Sequence, residues 1–381
     1  MRIAYLINSV EGGGAALPVP AVAGVMRAHG ANLRVFALTE RDGRALPPFE
    51  AAGLASAVRG GGERDHLAAL LWLDRQLADF RPDVIWTSLT RATLLGQAVG
   101  RRRHIPVVSW QHAAYLKPAN LALLRAARHN SALWVADSRC VLQLTAERLR
   151  PPPDRLLLWS LFAADPAAPV AAAWRPGERL RLGSLGRLHS VKGYDVLVAA
   201  LARLQAEGFR PACPFQVAIA GEGDQRPALE AQIREAGLDN VVLAGFTERP
   251  LDFLAGLHLY LQPSRSEGLC IAAHQAMQAA LPVIASSAGE LAFSVTPQVG
   301  EVVPPGAPGP LADALAALLS RPDQLAGMGR TARAWALARF SAEAFHEAGT
   351  AVLDRLDTIV RNQGGRSARR SADRSDTAGA L

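Results

Sequence analysis

Lysine is nearly absent from this chain: of 41 basic residues only Lys117 and Lys192 are lysines, and arginine supplies the rest. Cysteine is equally scarce. Cys140, Cys213 and Cys270 are odd in number and widely spaced, so neither a disulfide framework nor a zinc site is indicated. No window reaches the roughly 18 consecutive apolar residues that a membrane-spanning helix needs. The longest early apolar stretch, residues 15–26, is broken by Pro18 and Pro20 and follows a strand-like start, so it reads poorly as a signal peptide. The cytoplasm is the expected compartment. A P-loop, a metal-ligand cluster and a Ser-His-Asp order are also missing, so no metal site is expected.

What is present points to two domains. The chain has 381 residues, 50% hydrophobic and 20% charged, enough for more than one core. Its net charge of +7 lies partly in the segment after Arg361, GGRSARRSADRSDTAGAL, which lacks hydrophobic periodicity and is expected to be disordered. A second basic cluster comprises Arg91, Arg101, Arg102, Arg103, Lys117, Arg125 and Arg128. It reads either as a solvated surface or as a patch attracted to an anionic membrane, such as the inner face of the plasma membrane, or a phosphate-bearing acceptor. Without aromatic-basic interleaving or a helix-turn-helix pattern, nucleic acid is not the expected partner.

Short apolar runs alternate with segments of helical period. Residues 2–7, 33–39, 83–88, 106–111, 133–138 and 155–160 are near-continuous apolar strands, as in parallel sheets buried on both faces. Helical runs such as HLAALLWLDRQLADF (66–80) lie between them. Residues 162–178, rich in Ala and Pro, read as a linker, after which strands recur at 180–186, 215–221, 240–246, 259–264, 282–287 and 300–305. The expected fold class is α/β, with two doubly wound domains. They comprise an N-terminal Rossmann-like domain over 1–165 and a second over 166–340, followed by a C-terminal helix over 341–362 that crosses back to the first domain and a disordered basic tail over 363–381.

Ligands of open α/β sheets bind at the carboxyl ends of the strands, so the chemistry is sought there. After residues 180–186 come Arg187 and Lys192, two cations able to grip a diphosphate, one by a planar fork and one as a point charge. Gly221 opens GEGD after the next strand, where backbone can approach a ligand closely. Phe246 and Thr247 follow the third and form a candidate shelf for a nucleobase. After the fourth, SRSEGLCIAAHQAM leads into a helix expected near Leu269, whose start favours a phosphate. Glu267, beside that start, reads as a carboxylate for sugar hydroxyls. Gln275, two turns along, offers hydrogen bonds without charge.

The stretch PSRSEGLCIAAHQAMQAALPVIASSAGE, with GRLHSVKG, AGEGD, AGFTERP and VGEVVPPGAPGPLADALAALL, resembles the retaining glycosyltransferases of family 4. The likeness spans about residues 180–340. In the first half it rests on the opening strand with its glycine loop and on SWQHAAY. It implies a GT-B fold, two facing Rossmann-like domains with a cleft between them, and a nucleotide-diphospho-sugar as donor substrate with no cofactor. Arg187 and Lys192 would neutralise the departing diphosphate, and Glu267 would face the donor sugar. Gly268 and Leu269 would hold the donor at the helix start. Gln275 stands where the family has a second glutamate for the nucleotide ribose. Gly13 and Gly14 match the glycine loop that approaches the donor phosphates, although AALPVP follows instead of polar residues. His112 matches a histidine near the transferred sugar.

The implied reaction moves a hexose to a hydroxyl acceptor, a glycan or lipid-linked molecule of surface-polysaccharide assembly, with the leaving oxygen taking the acceptor's proton. The segment 115–134 mixes apolar residues with Lys117, Arg125 and Arg128 and reads either as a membrane-surface helix or as an ordinary core-facing one. Two alternatives stay open: a catalytically degenerate GT-B scaffold, suggested by Gln275 and the altered glycine loop, and a sugar-nucleotide epimerase.

Overall fold

A computed structural model describes residues 1–113 and 115–378. The chain divides into two compact units, one of residues 1–161 joined by the chain from Phe345 onward, the other of residues 162–344. In the first, a 7-stranded parallel sheet comprises β1 (Arg2–Ser9), β2 (Asn32–Thr39), β3 (Ser56–Val58), β4 (Val84–Ser88), β5 (Val107–Gln111), β6 (Leu133–Ala136) and β7 (Leu156–Leu158). Their order is β3-β2-β1-β4-β5-β6-β7. Ile3 to Ile7 are wholly buried, as a strand covered on both faces must be. On one face Trp86, Trp110 and Trp159 nest together, with Trp110 stacked on Trp159 at 4.9 Å.

The second unit repeats the plan with a 6-stranded parallel sheet: β8 (Leu180–Leu185), β9 (Phe215–Ala220), β10 (Val241–Gly245), β11 (Leu259–Gln262), β12 (Val283–Ser286) and β13 (Gly300–Val303). The order is β10-β9-β8-β11-β12-β13. Alternate side chains feed two cores. Leu259, Leu261 and Ile284 pack with the helices Tyr194–Ala206 and Pro308–Leu319, while Tyr260, Val283 and Ala285 pack with Ile271–Gln278 and Leu325–Arg339. Helices on both faces of a parallel sheet make each unit Rossmann-like.

Three expectations need correction. The segment 162–178 has no helix or strand, but it is tied down within the second unit. Ala164 N–H donates to Phe340 O (2.6 Å), Asp165 N–H to Gln278 Oε1 (2.8 Å) and Ala171 N–H to Ala279 O (2.8 Å). Irregular backbone packed on a core needs such partners. Secondly, the last helix is not confined to 341–362 but is bounded Ala342–Ala378, while residues 379–381 lie outside the described residues. Extending an existing helix needs no new nucleus, and Ala and Arg are strong helix formers. From Phe345 this helix belongs to the first unit: Phe345 meets Trp159 at 5.6 Å and Asp354 Oδ1 lies 3.0 Å from His29 Nε2. Thirdly, the segment 115–134 holds only the short helix Pro118–Ala126 before a turn at Arg128–Asn130 and strand β6.

Candidate active site

The order of the second sheet reverses between β8 and β11, and Lys192 and Glu267 come from the loops that follow those strands. Such switch points are where open α/β sheets bind ligands. Lys192 ends the turn Ser190–Lys192, and Gly193 after it has φ 68°. A Cβ there would lie 2.1 Å from Pro263 O, so only glycine lets this turn press against the loop that bears Glu267. Arg265 fastens the two segments. Its guanidinium donates to both carboxylate oxygens of Asp195 (2.7 and 2.6 Å) and to Ser190 O (2.8 Å), and its N–H donates to Val191 O (2.8 Å). From the far side, Gly289 (φ 62°) lies so close that a Cβ would meet Glu267 O at 2.4 Å.

This frame brings Lys192 Nζ to 2.8 Å from Glu267 Oε1. The same oxygen accepts from Ser264 Oγ (2.6 Å) and Gln262 Nε2 (3.2 Å); Oε2 receives none of the three. Burial alone would push the Lys192 ammonium down, but the Glu267 charge outweighs it and holds the amine above its usual range. Burial pushes the Cys270 thiol up, and the nearby Glu267 charge adds to that. Tyr194 is pushed to about 12 by burial. The site is therefore a compact ion pair within a polar ring, Gln262, Ser264 and Tyr260, whose hydroxyl donates to Gln262 Oε1 at 2.8 Å.

Lys192 is inside and matched by Glu267, whereas Arg187 is exposed and, among the described residues, makes no ion pair or side-chain hydrogen bond. Glu267 is the partner of Lys192. The helix begins at Ile271, not near Leu269, because Cys270 turns through the left-handed region (φ 61°) just before it. Gly268 O accepts from Glu290 N–H (2.9 Å), and Leu269 is buried. Gln275 is half-buried and its side chain makes no hydrogen bond among the described residues. Gly221 N–H donates to Gly245 O (2.7 Å), Phe246 is 46% exposed, and Thr247 Oγ1 accepts from Arg249 N–H (3.2 Å).

In the first unit, Gly13 N–H donates to Glu11 O (2.8 Å), and Gly14 opens a run of turns that delays the helix Val19–Ala28. Pro18 caps that helix and Pro20 lies in its first turn, where it removes a donor, so a helix start rich in free N–H groups is not formed. His112 follows β5 and is nearly enclosed. Its Nε2 lies 2.7 Å from Ser88 Oγ and its Nδ1 3.3 Å from Asp137 Oδ2, which brings Ser, His and Asp together despite the absence of such an order in the sequence. Sequence reasoning missed Ser88 and Asp137. The usable signal was position, since both sit at carboxyl ends of strands neighbouring β5. Among the described residues no cluster of three or more His, Cys, Asp or Glu could hold a metal ion, and no helix is long and apolar enough to cross a membrane.

Two Rossmann-like units in one chain, with polar side chains gathered at their strand ends, define a protein of the GT-B fold. The Anabaena HepE structure in complex with UDP and glucose overlays with a TM-score of 0.78, at 21% identity, over 93% of this chain and 99% of that one. The family model for Glycosyltransferase Family 4 matches residues 12–161 and that for Glycosyl transferases group 1 matches residues 179–321, and the chain belongs to the family-4 glycosyltransferases. The 2-deoxystreptamine glucosyltransferase of Streptomyces kanamyceticus is 33% identical over 45% of this chain and 44% of its own length. The lipopolysaccharide core biosynthesis mannosyltransferase LpcC of Rhizobium leguminosarum bv. viciae is 27% identical over 75% of this chain and 78% of its own. The chain spans less than half the length of the first of these two relatives.

Proposed function

We propose that the protein transfers a hexose, with retention, from a nucleotide-diphospho-sugar to a hydroxyl of a glycan or lipid-linked acceptor in surface-polysaccharide assembly. The observation that carries this reading is the half-buried Lys192–Glu267 pair at the β8/β11 switch point, with the unpaired, exposed Arg187 after the same strand. A diphosphate arriving there meets one uncommitted cation and one that can exchange Glu267 for a phosphate oxygen. Glu267 keeps Oε2 for a sugar hydroxyl, and Gln275 reaches the ribose as a neutral partner. Gly221, Phe246 and Thr247 flank the base, and the backbone of Gly268 and Leu269 lies along the phosphates. The acceptor's proton passes to the leaving diphosphate oxygen as the glycosidic bond breaks, so the protein positions the reactants and stabilises developing charge. No metal takes part in this scheme. The UDP named in the HepE complex favours uracil as the base.

The test is a thermal-shift series with UDP, GDP and ADP, then transfer assays with the sugars of whichever base binds. UDP is expected to raise the melting temperature, and Arg187→Ala to abolish the rise. No shift with any nucleotide, together with no turnover of any nucleotide sugar, would overturn the reading. For the acceptor, we infer a peripheral membrane contact through the helix Pro118–Ala126. It buries only Leu124 and leaves Leu123 55% exposed beside Arg125, and Tyr115, 63% exposed, and Lys117 precede it. Co-flotation with anionic vesicles at low salt, released at high salt, is the expected outcome; no flotation at low salt would point to a soluble acceptor.

A further inference from the structure

A glycine loop, RGGGERD over residues 59–65, leads from the edge strand β3 into the helix His66–Phe80. Strand, glycine loop and helix start in succession are a common frame for a phosphate. Two guanidiniums meet at its base. Arg59 donates from Nη1 to Asp65 Oδ1 (3.2 Å) and from Nη2 to Oδ2, and Arg91, from the helix after β4, donates to the same Oδ1 (2.9 Å). Each arginine also has a backbone anchor, Leu38 O for Arg59 (3.3 Å) and Gly62 O for Arg91 (3.1 Å), so neither depends on Asp65 alone for its place. Arg91 Nε is buried and has no partner among the described residues. The two arginine side chains are 8% and 12% exposed and that of Asp65 36%, so solvent reaches the position of the carboxylate. Asp65 stands at the N-cap of a 15-residue helix, where an aspartate ordinarily accepts from the first amides, yet it makes no such bond. Its carboxylate is turned to the arginines instead, and hydrogen bonding from Arg59, then from Arg91, lowers it to about 2. One negative charge thus faces two positive ones and the positive end of a helix. The next acid, Glu63, is already taken by Arg41 Nε at 2.8 Å.

We propose that Asp65 holds the place of a phosphate, and that Arg59, Arg91 and the glycine loop form a binding site for a phosphomonoester on the first unit. A phosphate dianion supplies what the carboxylate lacks. It presents three oxygens to two planar forks, takes the unused Nε–H of Arg91 and brings a second negative charge. On entry its oxygens replace Oδ1 and Oδ2, and Asp65 turns back to the helix start, the capping role that its position offers. Gly62 N–H, which donates to Oδ2 at 3.2 Å, passes to the phosphate. Gly61 lies over the Arg59 guanidinium so closely that a Cβ would stand 2.4 Å from Nη1, which keeps side chains out of this cradle. Every part belongs to the first unit, and Lys192 and Glu267 take no share in it. A sugar phosphate and a lipid phosphate present the same group, and the experiment tells them apart.

The experiment is titration calorimetry of the full chain with orthophosphate at fixed ionic strength, in the wild type, Asp65→Asn and Arg91→Gln. Asp65→Asn removes the competitor and is expected to tighten phosphate binding roughly tenfold or more, whereas Arg91→Gln weakens it by a similar factor. A clasp that only closes the loop predicts otherwise for the first variant, a lower melting temperature and no gain in affinity. The double variant Asp65→Asn/Arg91→Gln is expected to lose the gain. Phosphate held by the cations of the second unit contributes equally to every variant, so it cannot produce this pattern. Unchanged affinity in Asp65→Asn, or the same gain in the double variant, would overturn the proposal. If Arg91→Gln fails to fold, Arg91→Lys, which keeps the charge and loses the fork, carries the same readout. Glucose 1-phosphate and farnesyl phosphate in micelles are then titrated, and the larger gain over orthophosphate names the bearer of the group. No step measures sugar transfer, so a failure of the transferase reading would leave this result standing.

Discussion

Cys270 occupies a backbone conformation that glycine adopts freely and other residues avoid, by about 1–2 kcal/mol. At ordinary positions alanine is the more stable of the two small residues; here the order should reverse, with Cys270→Gly melting above Cys270→Ala in calorimetry. The cations of the site separate in a similar way. Arg187→Ala removes an exposed, unpaired group and should leave stability within about 0.5 kcal/mol while lowering turnover by an amount near 3 kcal/mol, on the order of a hundredfold. Lys192→Ala should cost turnover and also leave the half-buried Glu267 without its partner, so its melting temperature should drop as well. Equal thermal behaviour of the two variants would contradict the asymmetry of the pair. Gln275→Glu is expected to keep or tighten donor binding, read by titration calorimetry; a collapse of binding would mean that neutrality is required there.

At the scale of elements, the site is held by a staple between the start of the helix Tyr194–Ala206 and the loop before Ile271. Arg265 fixes Asp195, whose carboxyl it holds below the usual range. Asp195→Asn should raise the Michaelis constant for the donor more than it alters the melting temperature, because the two loops drift while their cores persist. The helix Ile271–Gln278 carries a second device, His274. It is wholly buried among Phe162, Trp335 and Phe340, bonded to Ser294 Oγ (2.8 Å) and Cys270 O (3.0 Å), and burial depresses it from 6.5 to about 4. Between those values the unfolded chain binds a proton that the folded one refuses, so stability present above pH 6.5 is lost as pH falls toward 4, by about 3 kcal/mol. His274→Leu should flatten the fall in melting temperature between pH 7 and 5.

The strands themselves were readable because a parallel strand buried on both faces is an unbroken apolar run, as at Arg2–Ser9 and Val283–Ser286. β3 escaped because Ser56–Val58 is three half-buried residues at a sheet edge. Lys192 and Glu267 could be found from their loops, but their direct bond spans 75 residues and follows from strand order. Ser88 and Asp137 carry no motif, and the partnership with His112 arises only when three strands lie side by side.

For the molecule as a whole, connectivity is unequal. The second unit is one continuous segment, residues 162–344, while the first closes only when the chain from Phe345 returns to it. Residues 162–344 expressed alone should melt cooperatively and bind the nucleotide. Residues 1–161 alone should lack a cooperative transition, since Trp159 would lose Phe345, and should regain one when 345–362 is supplied in trans. Circular dichroism melts of the fragments decide this. The scarcity of lysine has a practical corollary. Lys117 is exposed while Lys192 is tied to a carboxylate and largely covered, so an amine-seeking ester should attach at Lys117 and the terminal amine. Reaction at Lys192 would become a meter of how often its partnership with Glu267 opens.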